Sequence, residues 1–129
     1  MQAAPGAPDV LRRLRARGCR LGVISNWSAD LPELLGTLGM GDAFDAVIAS
    51  ESVGVEKPDD RIFIEALARL GVGASRCVHV GDDPGCDVAP ARRVGMIPVL
   101  VDPDDRHPRV RCVRVHALGE LPALLTPPQ

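Results

Sequence analysis

The chain has 129 residues, of which 46% are apolar and 25% charged, a balance that suits one globular domain with enough material for a core. A net charge of −2 excludes general electrostatic attraction to nucleic acid or to acidic membranes, and no apolar stretch is long enough to span a bilayer. With two Phe, one Trp and no Tyr, stacking platforms for single-stranded nucleic acid are not on offer, and the core has to be built from Val, Leu, Ile and Ala.

Val10, Leu11 and Leu14 recur at helical spacing between Pro8 and Arg17, and Gly18 closes that run. Leu21-Gly22-Val23-Ile24 predicts a short buried strand ending in Ser25-Asn26. Helical spacing returns from Ala29 to Leu38, with Gly39 as its stop. Ala46-Val47-Ile48-Ala49 predicts a second strand, and Arg61 to Leu70 a helix with Ile62, Phe63, Ala66, Leu67 and Leu70 on one face. Cys77-Val78-His79-Val80 predicts a third strand, followed by Gly81-Asp82-Asp83 and a helix from Asp87 to Val94. Ile97 to Val101 is a fourth strand, Val113 to Val115 a short fifth, and Leu118 to Leu125 a final helix.

Strands that are continuous apolar runs, alternating with helices, are the signature of a parallel sheet covered on both faces. The expected fold is therefore α/β, a Rossmann-like three-layer α/β/α arrangement with a mostly parallel sheet. Cys19, Cys77, Cys86 and Cys112 show no CxxC pairing and read as reduced structural thiols. MQAAPGAP lacks the charged start and apolar run of a signal peptide. Together these place the expected location in the cytoplasm.

In open parallel sheets ligands sit beyond the carboxyl ends of the strands. The chain's unusual polar residues lie there. Ser25-Asn26 follows the first strand, Lys57 lies in the loop after the second, and Asp82, Asp83 and Asp87 follow the third. Lys57 is the one lysine against fourteen arginines. A compact ammonium in a tight loop can touch two anions where a planar guanidinium cannot. The three carboxylates remain ionised comfortably beside a cation, and hard oxygen ligands favour Mg²⁺. Ser25 and neighbouring N–H groups suit phosphoryl oxygens. These are parts for phosphoryl transfer, where catalysis is mostly positioning and charge neutralisation. The plain alternative is an ordinary turn with Asp87 as helix N-cap. Trp27 serves either a pocket or ordinary packing, and His79 reads as a strand residue with a satisfied hydrogen bond.

Taken in order, these segments resemble the haloacid dehalogenase superfamily. Val23-Ile24-Ser25-Asn26-Trp27 resembles its second motif, Val55-Glu56-Lys57-Pro58-Asp59 its third, and the run from Val78 through Gly81-Asp82-Asp83-Pro84-Gly85-Cys86-Asp87 to Val88 its fourth. The resemblance implies a Mg²⁺-dependent phosphohydrolase. Ser25, Asn26 and Trp27 would bind the phosphorylated substrate. Lys57 would bridge phosphate and nucleophile, Asp82 would ligate the metal, and Asp87 would support the metal-water shell or Lys57. Asp83 is the weaker ligand, since the family varies there.

The family's first motif, an apolar strand followed by Asp-x-Asp, has no counterpart before Ser25, and Asp9 reads as the N-cap of the first helix. The expectation is a single truncated core domain over residues 1–129, lacking the nucleophile and the cap domain and showing little activity alone. An unfilled central strand position would expose ladder edges. A homodimer, or a partner strand in the gap, is therefore expected. The competing expectation is a non-catalytic module that binds a phosphorylated ligand or a protein. Dehalogenase chemistry is a minor variant, which the acidic Asp82 loop fits less well.

Overall fold

A computed structural model describes residues 7–25 and 44–124. The elements in chain order are α1 (Ala7–Ala16), β1 (Gly22–Ser25), β2 (Ala46–Ala49), α2 (Ser50–Val53), α3 (Asp60–Leu70), β3 (Val78–Gly81), α4 (Ala89–Arg93), β4 (Ile97–Val101), β5 (Val113–Val115) and α5 (Leu121–Leu124). The helix expected over 29–38 lies outside the described residues. Among the described residues no helix is long and apolar enough to cross a membrane.

Local chemistry explains where the helices start and stop. In α1, Val10 and Leu14 are buried one turn apart while Arg12, Arg13 and Arg15 face solvent. Asp9 does not cap this helix. It lies in the first turn, where its charge suits the helix dipole, and pairs with Arg12 at 3.7 Å. In α3 the Asp59 carboxylate accepts the Arg61 N–H as N-cap, and Gly71 takes the left-handed conformation at φ 68° to close the last turn. Ile62, Phe63, Ala66 and Leu70 form the buried face of α3, with Leu67 partly buried beside them.

The helix expected over Asp87–Val94 starts differently. A wide π turn spans Pro84–Val88, and only Ala89–Arg93 is α-helical. Asp83 caps the turn by accepting the Gly85 and Cys86 N–H groups at 2.8 and 3.0 Å. Pro90 has no N–H to close a regular turn back onto residue 86. Similarly, the final helix begins as a 3₁₀ turn at Leu118–Glu120 before α5.

All ladders are parallel. β1 pairs β2 with Gly22 opposite Ala46, β3 pairs β4 with Val78 opposite Ile97, and β4 pairs β5 with Val99 opposite Val113. The strands form a two-stranded sheet, β1-β2, and a three-stranded sheet, β3-β4-β5. Among the described residues no ladder joins β1 to β3.

Two apolar clusters hold the layers together. On one face Ile48, Ile62, Phe63, Ala66, Ala91 and Met96 are buried, with Ile24 and Cys77 packed against them. This cluster joins β1 and β2 to α3, α4 and the residues that lead into β3 and β4. On the other face Val10 and Leu14 of α1 pack with Val99, Val115 and Leu121. Helices on both faces of parallel strands give the expected three layers.

Candidate active site

The carboxyl ends of the strands gather the polar residues. β1 ends at Ser25, whose side chain lies outside the described atoms, as do Asn26 and Trp27. After β2 the chain makes the short α2 and enters the loop carrying Lys57. That loop is tied down on its far side. Arg93 donates to the Asp60 carboxylate and to the Pro58 carbonyl, both at 2.9 Å, linking the loop to α4.

Asp87 is the centre of the described site. It is 3% exposed, and its Oδ1 accepts from Lys57 Nζ at 2.7 Å and from His79 Nε2 at 3.0 Å. Its Oδ2 accepts the Asp83 N–H at 3.1 Å. Burial pushes this carboxyl up, but hydrogen bonds from His79 and Lys57 and the adjacent charges outweigh burial and hold it down at about 2. Asp87 reaches this position because it lies directly over Gly81. A Cβ on Gly81 would meet Asp87 Cγ at 2.2 Å. The plain reading of Asp87 as a helix N-cap is therefore corrected, since Asp83 performs that task through Oδ1.

Lys57, Asp82 and Asp87 line a cavity of about 300 Å³ together with the apolar Val80, Val101 and Leu118. Asp82 is exposed there, and its carboxylate makes no hydrogen bond or ion pair among the described residues. Structure thus brings Lys57, Asp82 and Asp87 together, while the Asp83 side chain is engaged with the backbone of its own turn.

His79, Val101 and Leu118 were not sequence candidates for the site. A signal for His79 existed. It stands two residues before Gly81 in β3, so both positions share one face of the strand, and the residue folding over Gly81 must meet the His79 ring. Another segment deserved weighing too. Asp102-Pro103-Asp104 follows the apolar strand β4, the pattern of an Asp-x-Asp nucleophile loop. Its first carboxylate is committed elsewhere. Asp102 is 3% exposed. It accepts the Arg106 and His107 N–H groups at 2.9 and 2.8 Å and Arg114 at 3.1 Å. It anchors its own loop.

The donor set can be compared with what Mg²⁺ requires. That ion takes one or two carboxylates and keeps several waters. Asp82 offers an available carboxylate beside the cavity, which fits. Asp87 already accepts three donors and suits an outer role. Among the described residues no three His, Cys, Asp or Glu side chains converge as a complete metal cluster. The remaining ligands would be water, substrate oxygen or a carboxylate from another segment.

Known proteins resemble this chain in sequence and fold. A family model for haloacid dehalogenase-like hydrolases matches residues 2–95. Haloacid dehalogenase-like hydrolase domain-containing protein 3 of Homo sapiens is 44% identical over 127 residues, which cover 96% of this chain and 51% of that protein. Glyceraldehyde 3-phosphate phosphatase of Methanopyrus kandleri is 43% identical over 98 residues, 73% of this chain and 42% of that enzyme. The crystal structure of a HAD phosphatase from Thermococcus onnurineus matches with a TM-score of 0.90 and 33% identity, over 96% of this chain and 58% of that one. The chain spans about half the length of these relatives.

Proposed function

The chain belongs to the haloacid dehalogenase-like hydrolase family, and on that premise we propose that it forms the phosphate- and cation-binding half of a Mg²⁺-dependent phosphohydrolase. The observation that carries this reading is the part-buried Lys57–Asp87 pair, 2.7 Å apart, at a cavity that Asp82 also lines. An ammonium held beside the cavity places a compact positive charge where a phosphoryl oxygen can meet it. Ser25 and the backbone after it bind the phosphoryl group, with Asn26 and Trp27 beside the substrate. Asp82 would ligate the cation, Asp87 holds Lys57, and Asp83 shapes the turn that carries Asp87. Mg²⁺ bound there would offset the charge of the phosphoryl group. Phosphatase names among the relatives support a phosphorylated small molecule as substrate.

A covalent mechanism needs an aspartate that accepts the phosphoryl group. Among the described aspartates only Asp82 and Asp87 line the cavity, and both already have roles. We therefore propose that these 129 residues alone turn over little or no substrate. An extended segment bearing an aspartate, from the same polypeptide or from a second copy, would complete the site next to β1 and β3. Among the described residues no ladder joins those strands, which supports this reading.

The test is Mg²⁺-dependent hydrolysis of an aryl phosphate by the purified chain, with Lys57→Ala and Asp82→Asn as controls. We expect near-background turnover, together with Mg²⁺-dependent thermal stabilisation that Asp82→Asn removes. Robust turnover lost in both variants would show that the site is already complete. No response to Mg²⁺ or to inorganic phosphate would overturn the phosphohydrolase reading and leave a non-catalytic protein-binding module.

A further inference from the structure

We infer that His79 is a positioning residue of this site: it fixes the plane of the Asp87 carboxylate and thereby aims the Lys57 ammonium. That the ammonium is aimed at phosphate rests on the phosphohydrolase reading; the positioning itself does not.

The three donors on Asp87 differ in stiffness. Asp83 N–H belongs to the backbone and reaches Oδ2 at 3.1 Å. His79 Nε2 reaches Oδ1 at 3.0 Å from a short, ringed side chain that is 11% exposed. Lys57 reaches the same Oδ1 at 2.7 Å, but from the end of a flexible four-carbon stem. A carboxylate held by Lys57 and one amide could turn about its Cβ–Cγ bond and carry the ammonium with it. Two stiff donors, one on each oxygen, prevent that turn, and the mobile donor then settles where the fixed carboxylate places it.

The stiffness of His79 has a visible source. Its ring meets Phe63 edge-to-face, with centroids 4.9 Å apart and planes at 80°. Phe63 is fully buried in the cluster that α3 and α4 share. The ring therefore sits between the packed core and the carboxylate. On the opposite side Gly81 has no side chain to separate it from Asp87. Neutral or protonated, the ring approaches Asp87 favourably only with a proton on Nε2.

Lys57 is the chain's one lysine, so selective ¹³C-lysine labelling yields one lysine side-chain signal. In the parent chain its two Hε protons are expected to be inequivalent, as in a restrained side chain. His79→Leu keeps apolar volume against Phe63 and removes the donor, and should collapse that inequivalence. His79→Gln places an N–H near the position of Nε2 and should restore most of it. His79→Asn is too short to do so and should resemble His79→Leu. The Kd for inorganic phosphate should rise about fivefold in the Leu and Asn variants, roughly 1 kcal/mol, and stay within twofold in the Gln variant.

An unchanged Lys57 signal in a folded His79→Leu chain would overturn the inference. So would equal behaviour of the Gln and Asn variants, which also decides the matter should His79→Leu not fold. If the parent chain binds no phosphate, the functional reading falls, while the lysine signal still decides the role of His79.

Discussion

Gly81 shows how much of this site depends on a missing atom. Asp87 occupies the space where any other residue would carry its Cβ, with Cγ 2.2 Å from that point. Gly81→Ala must push Asp87 aside and break its bonds to His79 and Lys57. Overpacking of this kind costs roughly 1–3 kcal/mol, readable as a lower urea midpoint, and the restrained Lys57 signal should be lost with it. A parental midpoint and signal would mean that Asp87 has another place to go. Asp87 also makes acid stability predictable. Its folded pKa of about 2 lies below the ordinary 3.8, so the carboxylate stabilises the fold above about pH 4 and that contribution disappears as pH falls toward 2. Asp87→Asn should be less stable than the parent at neutral pH, and its stability should depend less on pH between 4 and 2. Parallel pH profiles for the two chains would count against the low pKa. Lys57 was legible in the sequence because a lone lysine among arginines, between the Ser25-Asn26 turn and the Asp82–Asp87 loop, is a compositional signal. His79 was legible only in part: its place two residues before Gly81 put both on one face of β3, but its partner lies eight residues on and is brought over the strand by a turn whose shape no local pattern announces.

At the scale of elements, α3 and the turn before α4 illustrate what periodicity captures and what it misses. The spacing of Ile62, Phe63, Ala66 and Leu70 announces α3 because a packed helix needs an apolar stripe. The start of α3 depends instead on one side chain. Asp59 caps the helix by accepting the Arg61 N–H at 2.9 Å, two residues after Lys57. Asp59→Ala should cost about 1 kcal/mol of stability, mostly from the lost cap, since the Asp59–Arg61 ion pair is largely exposed and contributes little. Asp59→Asn retains a capping oxygen and should recover most of the loss in chemical denaturation. Equal losses in the two variants would assign the effect to charge rather than to capping. The π turn at Pro84–Val88 was invisible to a helical-period reading, since its width follows from the Asp83 cap and the missing Pro90 N–H. The four-residue α2 is likewise too short to display a period.

For the molecule as a whole, alternation of apolar strands with helices was enough to give parallel pairing and three layers, but not the division into two sheets. Which strand β1 joins is decided partly by Asp45, whose carboxylate accepts the Leu21 N–H at 2.7 Å while its own N–H reaches the Leu21 carbonyl at 2.6 Å. This latch ties the entry of β1 to that of β2. Direct pairing of β1 with β3 does not occur among the described residues. The helical layer is continuous across the division, because Ile48 of β2 shares a cluster with Ala91 and Met96 beside β4. The two sheets are thus held by one apolar layer while one edge of β1 and one of β3 lack a described ladder. Unpaired edges favour association, and hydrogen exchange can locate it. β4 has ladders on both sides, so its amides should be protected at every protein concentration. If a second copy supplies the completing strand, protection at Gly22–Ser25 and at Val78–Gly81 should rise together as concentration enters the micromolar range, and light scattering should report a mass above that of one chain. Association through the outer edge of the three-stranded sheet would instead protect Val113–Val115 and leave β1 unchanged. A monodisperse monomer with no concentration dependence at either place would remove the self-complementing arrangement and leave a segment from elsewhere in the polypeptide, or from a different partner, to complete the site.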